Sequence, residues 1–298
     1  MKRIIAFFMV FSVFMLGTVT CFAETEEKKE DESIEKAKSA ILMCMDTGDI
    51  IYEKNAYEHC SPASVTKVMS ILLILEAIDS GKISLTDSVA ASENAVSMGG
   101  SQIWLEVGEK MTVDELLKAV VVASANDACM ALGEYIAGSD TGFIKMMNDR
   151  AKELGLENSN FENCTGLDDT VTNHYSCAYD LAVIAKEVMK HESIKNYTSI
   201  WLDSLRNGKT ELNNTNKLVN TYKGITGLKT GTTSNAGFCL CATAERDRMN
   251  LVAVVLGCET SDVRFESATN LLDFGFANYE LAEPQFDQSK ITDVRIKN

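Results

Sequence analysis

Hydrophobic and polar positions fall into blocks that read as strands near both ends of the chain and as helices between them. Ala40 to Glu53 (A-I-L-M-C-M-D-T-G-D-I-I-Y-E) is a pair of apolar runs about a D-T-G-D turn, the pattern of a β-hairpin. Val68 to Ile78 (V-M-S-I-L-L-I-L-E-A-I) is apolar nearly all round, so the helix it predicts should run through a core. Ser61 as N-cap and Pro62 in the first turn open that helix, which extends to Asp79 before Gly81 ends it. Mostly short irregular pieces are expected from there to Val107, including the loop Met98-Gly99-Gly100-Ser101-Gln102.

Thr112 and Glu115 have the spacing of a capping box for a helix from Val113 to about Val122. Ser124-Ala125-Asn126 interrupts it, and helical periodicity resumes over Asp127–Ala137 and again over Asp140–Leu154, closed by Gly155. Ser176 is expected to cap a helix from Cys177 to about His191. Thr226–Lys229 reads as a short strand stopping at Thr230-Gly231. Gly237–Ala244 and Asn250–Gly257 form a second hairpin, and Ser261 caps a last helix through Phe276. Strands from both ends with helices between predict one antiparallel sheet with an inserted helical region, α/β in the mixed α+β sense rather than a parallel βαβ repeat.

Composition removes several possibilities. Lys2 and Arg3 precede the apolar run Ile4–Val19, and Cys21-Phe22-Ala23 places small residues where a signal peptidase reads, so residues 1–23 are expected to be a signal peptide. Thr20 is a poor neighbour for a lipidated Cys21. Residues 24–38 are charged and lack apolar periodicity, the pattern of a mobile leader; 39–283 form the expected domain and 284–298 a short tail. No later stretch is both long and uncharged enough to span a bilayer, so no C-terminal membrane anchor is visible and a secreted, extracytoplasmic location is expected. The net charge is −15 over 298 residues, and removal of Lys2 and Arg3 makes the mature chain more negative. That argues against nucleic acid or an anionic membrane as partner. Cys44, Cys60, Cys129, Cys164, Cys177, Cys239, Cys241 and Cys258 match no zinc spacing and several lie in apolar runs, so they read as small buried hydrophobes. His59, His174 and His191 form no metal-ligand pattern, and neither metal nor cofactor is expected.

The candidate chemistry is a serine and a lysine one turn apart. Ser64 and Lys67 sit on one face of the predicted core helix, and burial of the lysine would disfavour its charged form and free the amine to act as a base. Singly the pattern is weak. S-x-x-K is expected about once by chance in a chain of this size, and Ser33 and Lys36 also fit it. Ser124-Ala125-Asn126 alone could be helix-break chemistry, and Ser92-Glu93-Asn94 matches S-x-N as well. K-T-G is rarer, about 0.1 copies by chance, and occurs once, at Lys229-Thr230-Gly231. Order and context carry the information: a serine and lysine opening an apolar helix, a serine and asparagine at a helix break, and a lysine at a strand end.

With Met98–Gln102, Gly166-Leu167-Asp168, His174-Tyr175-Ser176 and Tyr179-Asp180-Leu181-Ala182, these motifs resemble the low-molecular-mass serine D-alanyl-D-alanine carboxypeptidases, the penicillin-binding proteins of peptidase family S11. The resemblance runs from about Ala40 to Glu283. It implies a penicillin-recognising serine-transferase fold and removal of the terminal D-alanine from peptidoglycan stem pentapeptides, with β-lactams as covalent inhibitors. It makes Ser64 the nucleophile, Lys67 its base and Ser124 the proton donor to the leaving D-alanine. Asn126 would bind the substrate backbone and hold Lys67; Lys229 and Thr230 would bind the terminal carboxylate; Gly231 would let the substrate lie close to the strand. The backbone N–H groups of Ser64 and Thr232 would form the oxyanion hole, which suits a serine near a helix N-terminus.

Two other readings share these motifs. A β-lactamase on the same fold would need a deacylating carboxylate, and Glu157 with Asn160 lies in the right region at the wrong spacing. A non-enzymatic wall-binding scaffold would be signalled by a replaced nucleophile or lysine, and both are present. His174 is expected to make a structural hydrogen bond, since a lysine base leaves a Ser-His-Asp triad no role. Cys164 and Cys177 depart from the family's usual residues and raise the question of thiol sensitivity near the site.

Overall fold

The structure, a computed structural model, describes residues 32–169 and 171–282. The segment 1–23 expected to be a signal peptide, the start of the expected leader and the expected tail 284–298 lie outside the described residues. In chain order the elements are α1 (Glu32–Glu35), β1 (Ser39–Cys44), β2 (Ile50–Lys54), a 3₁₀ turn (Ala63–Thr66), α2 (Lys67–Asp79), β3 (Ser88–Ala90), α3 (Glu93–Val96) and β4 (Lys110–Thr112). There follow α4 (Val113–Val122), α5 (Asn126–Ala137), α6 (Asp140–Glu153), α7 (Ala178–Met189), a second 3₁₀ turn (Glu192–Ile194) and α8 (Lys195–Thr198). The chain closes with β5 (Leu202–Leu205), β6 (Thr210–Asn213), α9 (Leu218–Thr221), β7 (Ile225–Thr233), β8 (Gly237–Arg246), β9 (Met249–Cys258) and α10 (Ser261–Asn278).

Both chain ends build one antiparallel sheet in the order β2-β1-β9-β8-β7, as expected from the strand pattern. All six residues of β1 are buried, because the sheet is covered on both faces. Ile41, Met43, Val252, Val254, Cys239 and Cys241 face the core shared with α2, α4, α5 and α7. Their alternates Ala40, Leu42, Ala253, Val255, Leu240 and Ala242 face a second core under α10. Ile34 and Ala37 are buried in that second core and Lys38 N–H donates to Leu256 O, so residues 34–38 are packed rather than a free leader.

Local sequence signals translate unevenly into structure. The Thr112–Glu115 capping box forms as expected, with reciprocal bonds between the Thr112 hydroxyl and Glu115 N–H and between the Glu115 carboxylate and Thr112 N–H. Three other caps differ. Ser61 does not cap the helical turn that leads into α2, because its hydroxyl donates to Asp168 Oδ2 at 2.9 Å. Cys177, not Ser176, caps α7, its Sγ accepting from Asp180 N–H, and Thr260, not Ser261, caps α10. The strand expected to stop at Lys229 continues to Thr233, because Gly231, Thr232 and Thr233 pair with Cys239, Phe238 and Gly237. The region before Val107 contains β3, paired with β4, and the short helix α3. All eight cysteines in the described residues are buried free thiols. No helix among the described residues is long and apolar enough to cross a membrane.

Candidate active site

Ser64 is placed by the junction between the first 3₁₀ turn and α2. Ala63 takes a positive φ of 46°, and the tight turn over Ala63–Thr66 leads into a helix whose ten buried residues begin with Lys67. Ser64 is half-buried at that turn, and Lys67, wholly buried one turn on, brings Nζ to 2.9 Å from Ser64 Oγ. A second bond from Nζ to Thr165 O, also 2.9 Å, fixes the amine. Burial pushes the Lys67 amine down to about 8, while the nearby thiols of Cys129 and Cys164 pull weakly the other way. The pair is therefore a hydroxyl in contact with an amine that can exist uncharged near neutral pH.

Ser124 and Asn126 reach the site because the chain breaks between α4 and α5. Ser124 is buried with a φ of 61°, a conformation that serine rarely adopts and that packing must enforce. Asn126 is held from the Met98–Gln102 loop: its N–H donates to Ser101 O and its Nδ2 to Gly99 O, both at 2.7 Å. A Cβ on Gly100 would lie 2.8 Å from Asn126 Nδ2, so the loop can approach only as glycine. Asn126 Oδ1 is buried without a hydrogen-bond partner among the described residues. Lys67 is thus tied to Thr165 O, whereas Asn126 is tied to the loop; the expected hold of one on the other is replaced by these two anchors.

Strand β7 forms the opposite wall. Lys229 is fully buried, with Nζ on Thr230 O at 3.0 Å, and burial together with the nearby charges of Lys67 and Arg264 depresses it well below the ordinary lysine value. Thr230 Oγ1 bonds Thr215 Oγ1 at 2.7 Å, and Thr232 is exposed. Gly231 faces the 3₁₀ turn. A Cβ there would stand 2.8 Å from Pro62 O and 2.9 Å from Ser64 N, so the missing side chain serves the close approach of strand and turn. That approach sets the backbone of Ser64 beside the segment ending in Thr232.

Sequence reasoning assigned no role to Arg264, to the Asn163–Asp168 loop or to Ser70. Arg264, on α10, is 6% exposed and has its guanidinium on Gly231 O and Thr232 Oγ1, both 3.2 Å, and over the Phe265 ring at 4.5 Å. An arginine in a C-terminal helix carries no local signal that it will reach a strand 33 residues earlier. The Asn163–Asp168 loop closes the third side. Ser70, three residues beyond Lys67, anchors that loop through Cys164 O at 2.7 Å.

His174 lies behind the site. Nδ1 accepts Glu162 N–H at 3.0 Å, so Nε2 carries the proton and meets Thr66 Oγ1 at 2.8 Å. Burial lowers it to about 4, and the neutral ring is a structural link, as expected. Glu157 is exposed, and Asn160 is engaged with Asn173 O. No group of three or more metal-ligating side chains occurs among the described residues.

Comparison with known proteins gives a consistent picture. The family model described as D-alanyl-D-alanine carboxypeptidase matches residues 24–260. D-alanyl-D-alanine carboxypeptidase DacF of Bacillus subtilis (strain 168) is 45% identical over 301 residues, covering 100% of this chain and 77% of that protein. Penicillin binding protein 6B from Escherichia coli superposes with a TM-score of 0.78 at 35% identity, over 85% of this chain and 82% of that one. Penicillin-Binding Protein D2 from Listeria monocytogenes, solved in an ampicillin-bound form, gives 0.73 at 30% identity over 81% and 98%.

Proposed function

The chain belongs to the D-alanyl-D-alanine carboxypeptidase family, peptidase family S11, and is a serine hydrolase; from that premise we propose that it acts on the bacterial cell wall, binds penicillin and divides the work among its residues as follows. The observation that carries the assignment is the 2.9 Å contact between Ser64 Oγ and a wholly buried Lys67 whose amine is pushed down to about 8.

The substrate is the D-alanyl-D-alanine end of a peptidoglycan stem peptide, met on the outer side of the membrane. Ser64 Oγ attacks the carbonyl between the two D-alanines as Lys67 Nζ accepts its proton. The N–H groups of Ser64 and Thr232 receive the developing oxyanion. Ser124 passes a proton to the departing D-alanine amine, in concert with a lysine, and water then releases the acyl group from Ser64. Asn126 Oδ1 accepts a substrate amide N–H, which satisfies a buried acceptor that otherwise goes unpaired. Lys229 supplies positive potential for the terminal carboxylate and Thr230 a hydroxyl; the incoming anion also offsets the crowding of Lys229 with Lys67 and Arg264.

Mass spectrometry after brief exposure to penicillin tests this division. Wild type is expected to gain one stable adduct mapping to Ser64, and Ser64→Ala none. Rapid turnover without a lasting adduct would favour a β-lactamase, and an adduct surviving in Ser64→Ala would remove Ser64 from the mechanism.

A further inference from the structure

The Gly166-Leu167-Asp168 segment is singled out by the sequence and used by none of the steps above. Asp168 Oδ2 accepts two hydroxyl hydrogen bonds, from Ser61 Oγ at 2.9 Å and from Thr233 Oγ1 at 2.6 Å. Ser61 opens the turn that presents Ser64, and Thr233 follows Thr232 on β7. One carboxylate oxygen therefore joins the two backbone segments whose N–H groups would receive the oxyanion.

The loop that carries Asp168 is itself rigid. Asn163 Oδ1 accepts Thr165 N–H at 3.1 Å and Gly166 N–H at 2.7 Å, while Asn163 Nδ2 donates to Leu167 O at 2.7 Å. Gly166 has a φ of 83°, and a Cβ there would overlap the Ala63 carbonyl oxygen, so the loop lies directly against the nucleophile's turn. The same loop supplies Thr165 O to Lys67 Nζ. Thr233 Oγ1 also accepts Ala236 N–H at 3.0 Å, which ties the end of β7 to its turn.

From this geometry we infer that Asp168 is a positioning residue for the oxyanion hole: its carboxylate, through Ser61 and Thr233, sets the separation between the Ser64 and Thr232 N–H groups. The inference rests on the assignment of those N–H groups above. A carboxylate is suited to the task because a charged acceptor makes short, strong bonds to two hydroxyls at once. A misplacement of about 1 Å in groups that stabilise a transition state can cost about 100-fold in rate.

The test is the acylation rate constant with a fluorescent penicillin, measured with the number of titratable active sites and the melting temperature. Asp168→Ala is expected to slow acylation by about 10- to 100-fold while the folded protein still titrates fully. Asp168→Asn keeps a carbonyl oxygen able to accept both hydroxyls and is expected to return to within about fivefold of wild type. Thr233→Val and Ser61→Ala should each slow acylation in the native background and add little in Asp168→Ala, since their effects pass through the same carboxylate. Wild-type acylation in Asp168→Ala, a loss no larger than the fall in titratable sites, or full additivity of the three changes would overturn the inference while leaving the Ser64 assignment standing. Failure of wild type to label at Ser64 would instead defeat the assignment on which it rests.

Discussion

Lys67 and His174 are both buried bases whose charged forms burial disfavours, and the structure uses the effect in two ways. At Lys67 it makes the amine available. Its ordinary value of 10.5 falls to about 8, so the competent neutral form grows as pH rises toward and through 8. The acylation rate constant should therefore climb between pH 6 and 9 with an apparent pKa near 8, and Lys67→Arg, which stays charged, should remain slow throughout. A flat profile would show that proton removal from Ser64 does not run through this lysine. At His174 the same physics acts on stability. The ring titrates at about 4 when folded and near 6.5 when unfolded, so between those values the unfolded chain binds the extra proton. Stability from this residue is fully present above 6.5 and is lost as pH falls toward 4, by about 3 kcal/mol at 1.36 kcal/mol per unit. Urea denaturation of wild type and His174→Gln from pH 7 to 4 should show a shallower decline in the variant, and parallel declines would exclude the histidine as the cause.

At the scale of elements, what could be read in advance depended on how far each interaction reaches along the chain. The capping box at Thr112 and Glu115 spans three residues and was fully legible; Thr112→Ala should cost about 1 kcal/mol in a urea melt without altering acylation. The hairpins followed from apolar periodicity for the same reason, whereas the pairing of β1 with β9 was inferred only from strand patterns lying at both ends. Ser61 looked like a cap because nothing local shows that its hydroxyl will be taken by Asp168, 107 residues on. Lys229-Thr230-Gly231 looked like a strand end because glycine after threonine is ordinary turn chemistry, whereas pairing with Cys239 and Phe238 carries the strand through. The Ser64–Lys67 pair could be found because the two lie three residues apart, one helical turn. Arg264 could not, since its partners come from β7. Gly231 shows how one backbone position serves both levels. A Cβ 2.8 Å from Pro62 O would push β7 off the turn, so Gly231→Ala should lower acylation by about 100-fold with little change in far-ultraviolet circular dichroism. Near-normal acylation would show that turn and strand need not stay so close.

Across the described domain, the central sheet is a shared partition. Alternate residues of β1, β8 and β9 belong to different cores, with Met43, Val254 and Cys241 on one side and Leu42, Val255 and Leu240 on the other. Neither layer of helices can leave without exposing the sheet, which predicts that both cores open in one cooperative transition. The cysteines provide a reporter on each side. Cys129, Cys164, Cys239 and Cys241 lie in the helical core, and Cys44 and Cys258 lie under α10. All are buried thiols, and burial pushes Cys239 and Cys241 up to about 12, which suppresses the reactive thiolate. Burial alone denies a bulky aromatic disulfide reagent access, so it should label the native protein slowly at every one of these positions, even at Cys129, whose thiol the hydrogen bond with Cys164 holds below its ordinary value. In increasing urea, labelling mapped by mass spectrometry should rise at Cys44 and Cys258 over the same concentrations as at Cys129 and Cys164. Earlier labelling on the α10 side would show that this layer, which carries Arg264 to the back of β7, can detach while the serine–lysine core stays folded.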